Sequence, residues 1–138
     1  MRLRPLIKDI VNDVDAYPNI KINDISTNSS TIKKGSLFFA IKGSNHDGHD
    51  YINDAIQNKV SAIIATKELK NLPVPLIKVN DTRTVLSKIA SKFYNNPSKK
   101  LKIIGVTGTN GKTTTSSLIK SIFDSAGIDA AQLGTNGL

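Results

Sequence analysis

The sequence predicts an α/β protein: a small mixed domain over residues 1–98, then the opening strand, loop and helix of a second α/β unit over residues 99–138. Three observations carry this. Short apolar runs alternate with segments of helical periodicity, the order that builds parallel sheets covered by helices. Asn95-Asn-Pro-Ser-Lys-Lys100 interrupts that alternation, ending a helix and offering little to bury. Beyond it, Leu101-Lys-Ile-Ile-Gly-Val-Thr-Gly-Thr-Asn-Gly-Lys-Thr-Thr-Thr115 runs from an apolar stretch through a glycine-rich turn into a lysine and three threonines that open a helix.

Taken in order, Pro5 to Val14 places Leu6, Ile7, Ile10 and Val11 on one face and predicts a short helix. Ile20-Lys-Ile22 is a brief strand, and Ser36-Leu-Phe-Phe-Ala-Ile41, bounded by Gly35 and Gly43, a stronger one. Tyr51, Ile52, Ala55 and Ile56 then show helical spacing, followed by strands Val60–Ala65 and Val74–Val79. Asp81 is placed as the N-cap of a helix that turns Val85, Leu86, Ile89, Ala90 and Phe93 inward. After the linker come a strand over 101–106, a loop over 107–112, a helix from about Lys112 to Ala126 stopped by Gly127, and a strand near Ala130–Leu133. One βαβ beginning cannot bury its own apolar surface, so this second segment reads as the truncated start of a larger α/β domain.

Composition narrows the function classes. With 38% hydrophobic and 22% charged residues, the chain has the balance of a globular domain. It has no cysteine, which excludes disulfides and thiol chemistry. No segment has the ~20 apolar residues of a membrane span, and charge breaks the N-terminus too early for a signal peptide, so a cytoplasmic protein without a membrane partner is expected. The net charge of +8 is spread over scattered lysines, with little arginine and no interleaved aromatic residues, so no nucleic-acid partner is expected.

The 108–114 segment has the layout of a phosphate-binding loop. Gly108 and Gly111, with Thr109 and Asn110 between them, let backbone N–H groups close around phosphate oxygens, and the new helix aims its positive end at the same point. Lys112 then reaches the β/γ-phosphates, Thr113 holds Mg²⁺, and Thr114 follows in the first helical turn. The position five before Gly111 is Val106, where the strict Walker pattern has glycine.

Two separated segments resemble one family. Gly108-Thr-Asn-Gly-Lys-Thr113 is similar to the ATP loop of the Mur ligases, which build the peptide of bacterial cell-wall precursors. Upstream, Gly35-Ser-Leu-Phe-Phe-Ala-Ile-Lys-Gly43 and Asn45-His-Asp-Gly-His-Asp-Tyr-Ile52 resemble that family's first domain. The Thr-Asn of the loop and Phe93-Tyr-Asn-Asn-Pro-Ser98 favour the branch that adds a diamino acid to UDP-N-acetylmuramoyl-L-alanyl-D-glutamate over the branch that adds a dipeptide. The resemblance covers nearly the whole chain but only the N-terminal part of a three-domain ligase.

What the resemblance implies is an ATP- and Mg²⁺-dependent amide-bond ligase, monomeric when full length, whose small-molecule partner is the UDP-linked muramoyl dipeptide. ATP would phosphorylate the D-glutamyl carboxylate, and the amine of the diamino acid, meso-diaminopimelate rather than lysine, would attack. Thr27 and Ser29 would lie at the uracil and ribose, and Ser44, Asn45 and His46 in the loop over the uridine diphosphate. Where relatives carry Asp-Ser-Arg, this chain has Asn28-Ser29-Ser30, keeping the serine and losing both charges. No catalytic residue is expected within these residues, and the chain alone is expected to be inactive. On side-chain chemistry alone, Asp47-Gly48 is a turn, His46 and His49 are solvated loop residues without the partners for a metal site, and Ser29 and Ser30 are loop hydroxyls. A non-catalytic UDP-sugar-binding module and an unrelated P-loop enzyme remain the other readings.

Overall fold

A computed structural model describes residues 1–134, and the chain divides into two compact units, Met1–Lys100 and from Leu101 onward. The first unit is built on a four-stranded parallel sheet in the order β1 (Asp24–Ser26), β2 (Ser36–Phe39), β3 (Ala62–Ala65), β4 (Leu76–Lys78). The register sets Leu37 against Ala62, Phe38 against Ile63 and Ile63 against Leu76. β2 and β3 are buried along their whole length, as parallel strands covered on both faces are.

Because side chains alternate across a strand, the two faces fill two cores. Leu37, Phe39, Ala62, Ile64 and Ile77 pack with Leu3, Leu6 and Ile7 of α1 (Leu3–Ile7) and Val85 and Ile89 of α3 (Thr82–Phe93). Phe38, Ala40, Ile63 and Ala65 pack on the other face with Ile52 and Ala55 of α2 (Ile52–Gln57). The predicted α/β class is therefore what this unit has, with helices on both faces of the sheet.

Several boundaries differ from the sequence expectation. The helix expected over Pro5–Val14 is only Leu3–Ile7: the N–H groups of Ile10 and Val11 both turn back to the Ile7 carbonyl, Asp13 then accepts from the N–H groups of Asp15 and Ala16, and Arg4 clamps the Asp15 carboxylate and the Tyr17 carbonyl. Ile20–Ile22 is not a sheet strand. Lys21 makes one isolated antiparallel bridge with Arg2, and the edge strand beside β2 is Asp24–Ser26. The Asp81 cap is as expected: its carboxylate accepts from the Arg83 N–H, and α3 ends at Phe93.

In the second unit, α4 (Lys112–Ser125) forms where the periodicity predicts, with no buried residue. Neither the segment 101–106 nor 130–133 is a strand. Strand structure requires a hydrogen-bonded neighbour, and the described residues of this unit supply none to 101–106.

Candidate functional site

Parallel strands deliver all their carboxyl ends to one sheet edge, where connecting loops converge on ligands in open α/β sheets. Here the edge carries Thr27–Ser30 after β1, the Gly43–His46 turn after β2, and the first turn of α3 after β4. These segments line one cleft of about 810 Å³. Thr27, Ser29, Ser44, Asn45 and His46, five residues singled out from sequence, all border it, with Tyr51 and Arg83 beside them.

Local hydrogen bonds fix each wall. After β1, the Ser26 hydroxyl accepts from the Asn28 N–H and the Asn28 side chain accepts from Ser30 N–H, which winds a single 3₁₀ turn. Ser29 is buried, and its carbonyl accepts from the Asn58 side chain at the end of α2. After β2, Gly43 N–H donates to the His46 carbonyl at 2.8 Å and Gly48 N–H to the Ile41 carbonyl at 2.8 Å, folding 43–48 into a tight excursion. A Cβ on Gly48 would lie 2.5 Å from Ile41 N and 2.7 Å from Ile41 O, so the backbone can close here only with glycine.

The Asp47–His49 pair pins that excursion to the sheet. His49 is buried, contrary to the expectation of a solvated loop residue. Its Nδ1 meets Asp47 Oδ1 at 2.5 Å, and its Nε2 lies 3.2 Å from the N–H of Thr66, just past the end of β3. Since Nε2 accepts from a backbone N–H, the ring proton sits on Nδ1 and is donated to Asp47. The other Asp47 oxygen accepts from Lys67 Nζ at 2.8 Å. Hydrogen bonds from the Lys67 ammonium, then from the His49 N–H and ring, hold the Asp47 carboxyl well below the usual carboxylate range. The same contact raises the Lys67 ammonium. Asp47, Gly48 and His49 are thus the frame of the loop, and Ser44, Asn45 and His46, all exposed, are what the frame presents.

The second candidate site is the Gly108–Thr114 loop. Gly111, the N-cap of α4, has φ +74°, a left-handed conformation that costs a residue with a Cβ about 1–2 kcal/mol. Lys112 Nζ donates to the Gly108 carbonyl at 2.6 Å and lies 3.3 Å from that of Thr109, so the ammonium is held against the loop it follows. Thr113 and Thr114 lie in the first turn of α4, which carries no acidic residue. Gln132, not singled out from sequence, donates to the Ser116 hydroxyl at 2.7 Å and accepts from that of Ser117 at 3.1 Å. Among the described residues, no group of three or more His, Cys, Asp or Glu side chains could hold a metal ion. A threonine hydroxyl is a hard oxygen donor suited to Mg²⁺ that keeps waters and phosphate oxygens as its other ligands, so Thr113 fits that role.

Comparison with known proteins gives a consistent picture. Residues 21–94 match the Mur ligase family, catalytic domain, and residues 106–138 match the Mur ligase middle domain. The UDP-N-acetylmuramoyl-L-alanyl-D-glutamate--2,6-diaminopimelate ligase 1 of Clostridium acetobutylicum is 38% identical over 137 residues, 98% of this chain and 28% of the relative. The corresponding ligase of Clostridioides difficile is 44% identical over 125 residues, 89% of this chain and 26% of the relative. The crystal structure of MurF ligase from Thermotoga maritima in complex with ADP superposes with a TM-score of 0.59 at 32% identity, covering 74% of this chain and 23% of that one. The chain therefore spans about a quarter of the length of the proteins it matches.

Proposed function

The chain belongs to the Mur ligase family, and from that premise we propose that it is the N-terminal part of an ATP-dependent amide-bond ligase of peptidoglycan synthesis. The ligase adds a diamino acid, meso-diaminopimelate rather than lysine, to UDP-N-acetylmuramoyl-L-alanyl-D-glutamate. Residues 1–98 are its UDP-substrate domain and residues 99–138 the start of its ATP-binding domain. The carrying observation is the cleft at the carboxyl edge of the sheet, where Thr27, Ser29, Ser44, Asn45 and His46 converge from two loops. Neutral hydroxyl and amide groups there suit the donors and acceptors of uracil and ribose.

The loop residues bind and orient; none is placed as a general base. Backbone N–H groups of Gly108 to Lys112 would meet the phosphates, with the Lys112 ammonium adding positive charge and Thr113 a ligand for Mg²⁺. The metal, when bound, neutralises charge on the phosphate oxygens. The reaction is cytoplasmic, acts on small molecules, involves neither nucleic acid nor membrane, and is carried out by a monomer. The described residues contain no helix long and apolar enough to cross a membrane. A second reading, the dipeptide-adding ligase, draws support from the MurF likeness. The names of the 38–44% identical relatives favour diaminopimelate.

The test is ADP release by the full-length gene product. Turnover should require both the UDP-linked dipeptide and meso-diaminopimelate, lysine should substitute poorly, and residues 1–138 alone should show no turnover. Turnover that requires D-alanyl-D-alanine and a UDP-linked tripeptide would replace the first reading with the second.

A further inference from the structure

Arg83 was not a candidate from sequence, yet it lines the same cleft as Thr27 and the Gly43–His46 turn. Among the described residues no carboxylate borders the cleft, and apart from the imidazole of His46, Arg83 is the only side chain there that can carry positive charge. The Asn28-Ser29-Ser30 wall contributes none. Arg83 is exposed, and among the described residues it pairs with no carboxylate. One of its donors is engaged, Nη2 to the Lys42 carbonyl at 3.2 Å, which leaves most of a five-donor fork available. The neighbouring Asp81 carboxylate is occupied by the α3 cap, accepting from Arg83 N–H and the Thr84 hydroxyl.

A uridine diphosphate brings two kinds of chemistry to such a cleft. Uracil and ribose are neutral and match hydroxyls and amides, whereas the diphosphate needs a cation or clustered N–H donors. We propose that Arg83 grips the diphosphate, its free N–H groups bonding phosphate oxygens while the Lys42 contact holds the guanidinium over the turn that follows β2. The inference rests on the reading of the cleft as the nucleotide-sugar site. Arginine suits this position better than lysine because its planar fork meets two phosphate oxygens at once.

The experiment compares binding of UDP and uridine to the 138-residue chain at low salt by NMR titration, for wild type, Arg83→Gln and Arg83→Lys. Arg83→Gln should weaken UDP about tenfold or more and leave uridine unchanged, since a charge-assisted hydrogen bond is lost only by the charged ligand. It should also flatten the salt dependence of UDP binding. Arg83→Lys should keep part of the UDP affinity and lose it faster as salt rises. Equal weakening of UDP and uridine by either variant would mean that Arg83 acts only as a brace on Lys42, and unchanged UDP binding would mean that it does not touch the diphosphate; each overturns the inference. Failure of wild type to bind either compound overturns the reading of the cleft itself, and this inference with it.

Discussion

The runs Ser36–Ile41 and Leu101–Val106 are both apolar stretches that read as strands from sequence, yet only the first holds a strand. Phe38 and Phe39 are fully buried between neighbours β1 and β3, whereas Ile103 and Ile104 are 70% and 49% exposed. Apolar patterning is therefore a request for a strand, which hydrogen-bonded neighbours grant or withhold. Local chemistry does not depend on neighbours in this way: the left-handed Gly111, the Lys112 clamp and α4 are all formed in a unit whose described residues hold no strand.

The largest contrast should appear in stability. Phe39→Ala empties a site between the sheet, α1 and α3 and should cost about 3–5 kcal/mol. Ile103→Ala, at a 70% exposed position, should change the same transition by less than about 0.5 kcal/mol. Urea unfolding followed by circular dichroism measures both, and equal effects would erase the distinction between the units.

Glycine replacement sharpens it. Gly48→Ala drives a methyl into the Ile41 backbone and should destabilise the first unit by about 1–3 kcal/mol while loosening the 43–48 turn. Gly111→Ala meets no atom within 4 Å, so its penalty is conformational and local. It should leave the main unfolding transition in place and show in the amide shifts of the loop and the first turn of α4.

Acid should act on the first unit through Asp47. Its carboxyl is held low in the folded state, so the stabilisation is complete above the ordinary carboxylate value near ~4 and is lost as pH falls toward the depressed folded value. Asp81, held low first by the Thr84 hydroxyl, and Asp9, held low first by Lys92, add in the same direction. Thermal melts between pH 2 and 7 should therefore show a steeper acid decline for wild type than for Asp47→Asn, which cannot titrate at that position. Identical slopes would remove Asp47 from the account of the loop.

The smallest effect belongs to Lys112. An anion nest of this kind should bind pyrophosphate or ATP weakly, at about millimolar Kd, equivalent to about −4 kcal/mol. Lys112→Ala should weaken that further and reduce its salt dependence, with the unfolding curve unmoved. Micromolar affinity, or affinity indifferent to Lys112, would require contacts other than those of this loop.

How much was legible in the sequence follows the same division. The buried central strands and α3 were readable because a continuous apolar run fits little besides a covered strand, and a capped 3.6-residue period little besides an amphipathic helix. The edge strand Asp24–Ser26 was not, because a single apolar residue, Ile25, between two polar ones makes no such pattern and its strand identity comes from pairing with Ser36–Phe38. His49 looked like a solvated loop residue since nothing in sequence shows that Thr66 lies against its ring. Arg83 was invisible for a related reason: only the convergence of three strand ends brings it to Thr27 and Asn45. An arginine in the first turn of a capped helix, just after a strand end, is the one local signal that could have drawn attention to it.

The most direct test is a two-dimensional NMR titration of the 138-residue chain with UDP. The account predicts saturable amide shifts in residues 27–30 and 43–48 and at Arg83, all around the cleft at the carboxyl edge of the sheet, with the opposite ends of the strands unmoved. Shifts centred on the loop 108–114, or none at saturating UDP, would contradict the assignment of that cleft as the nucleotide-sugar site.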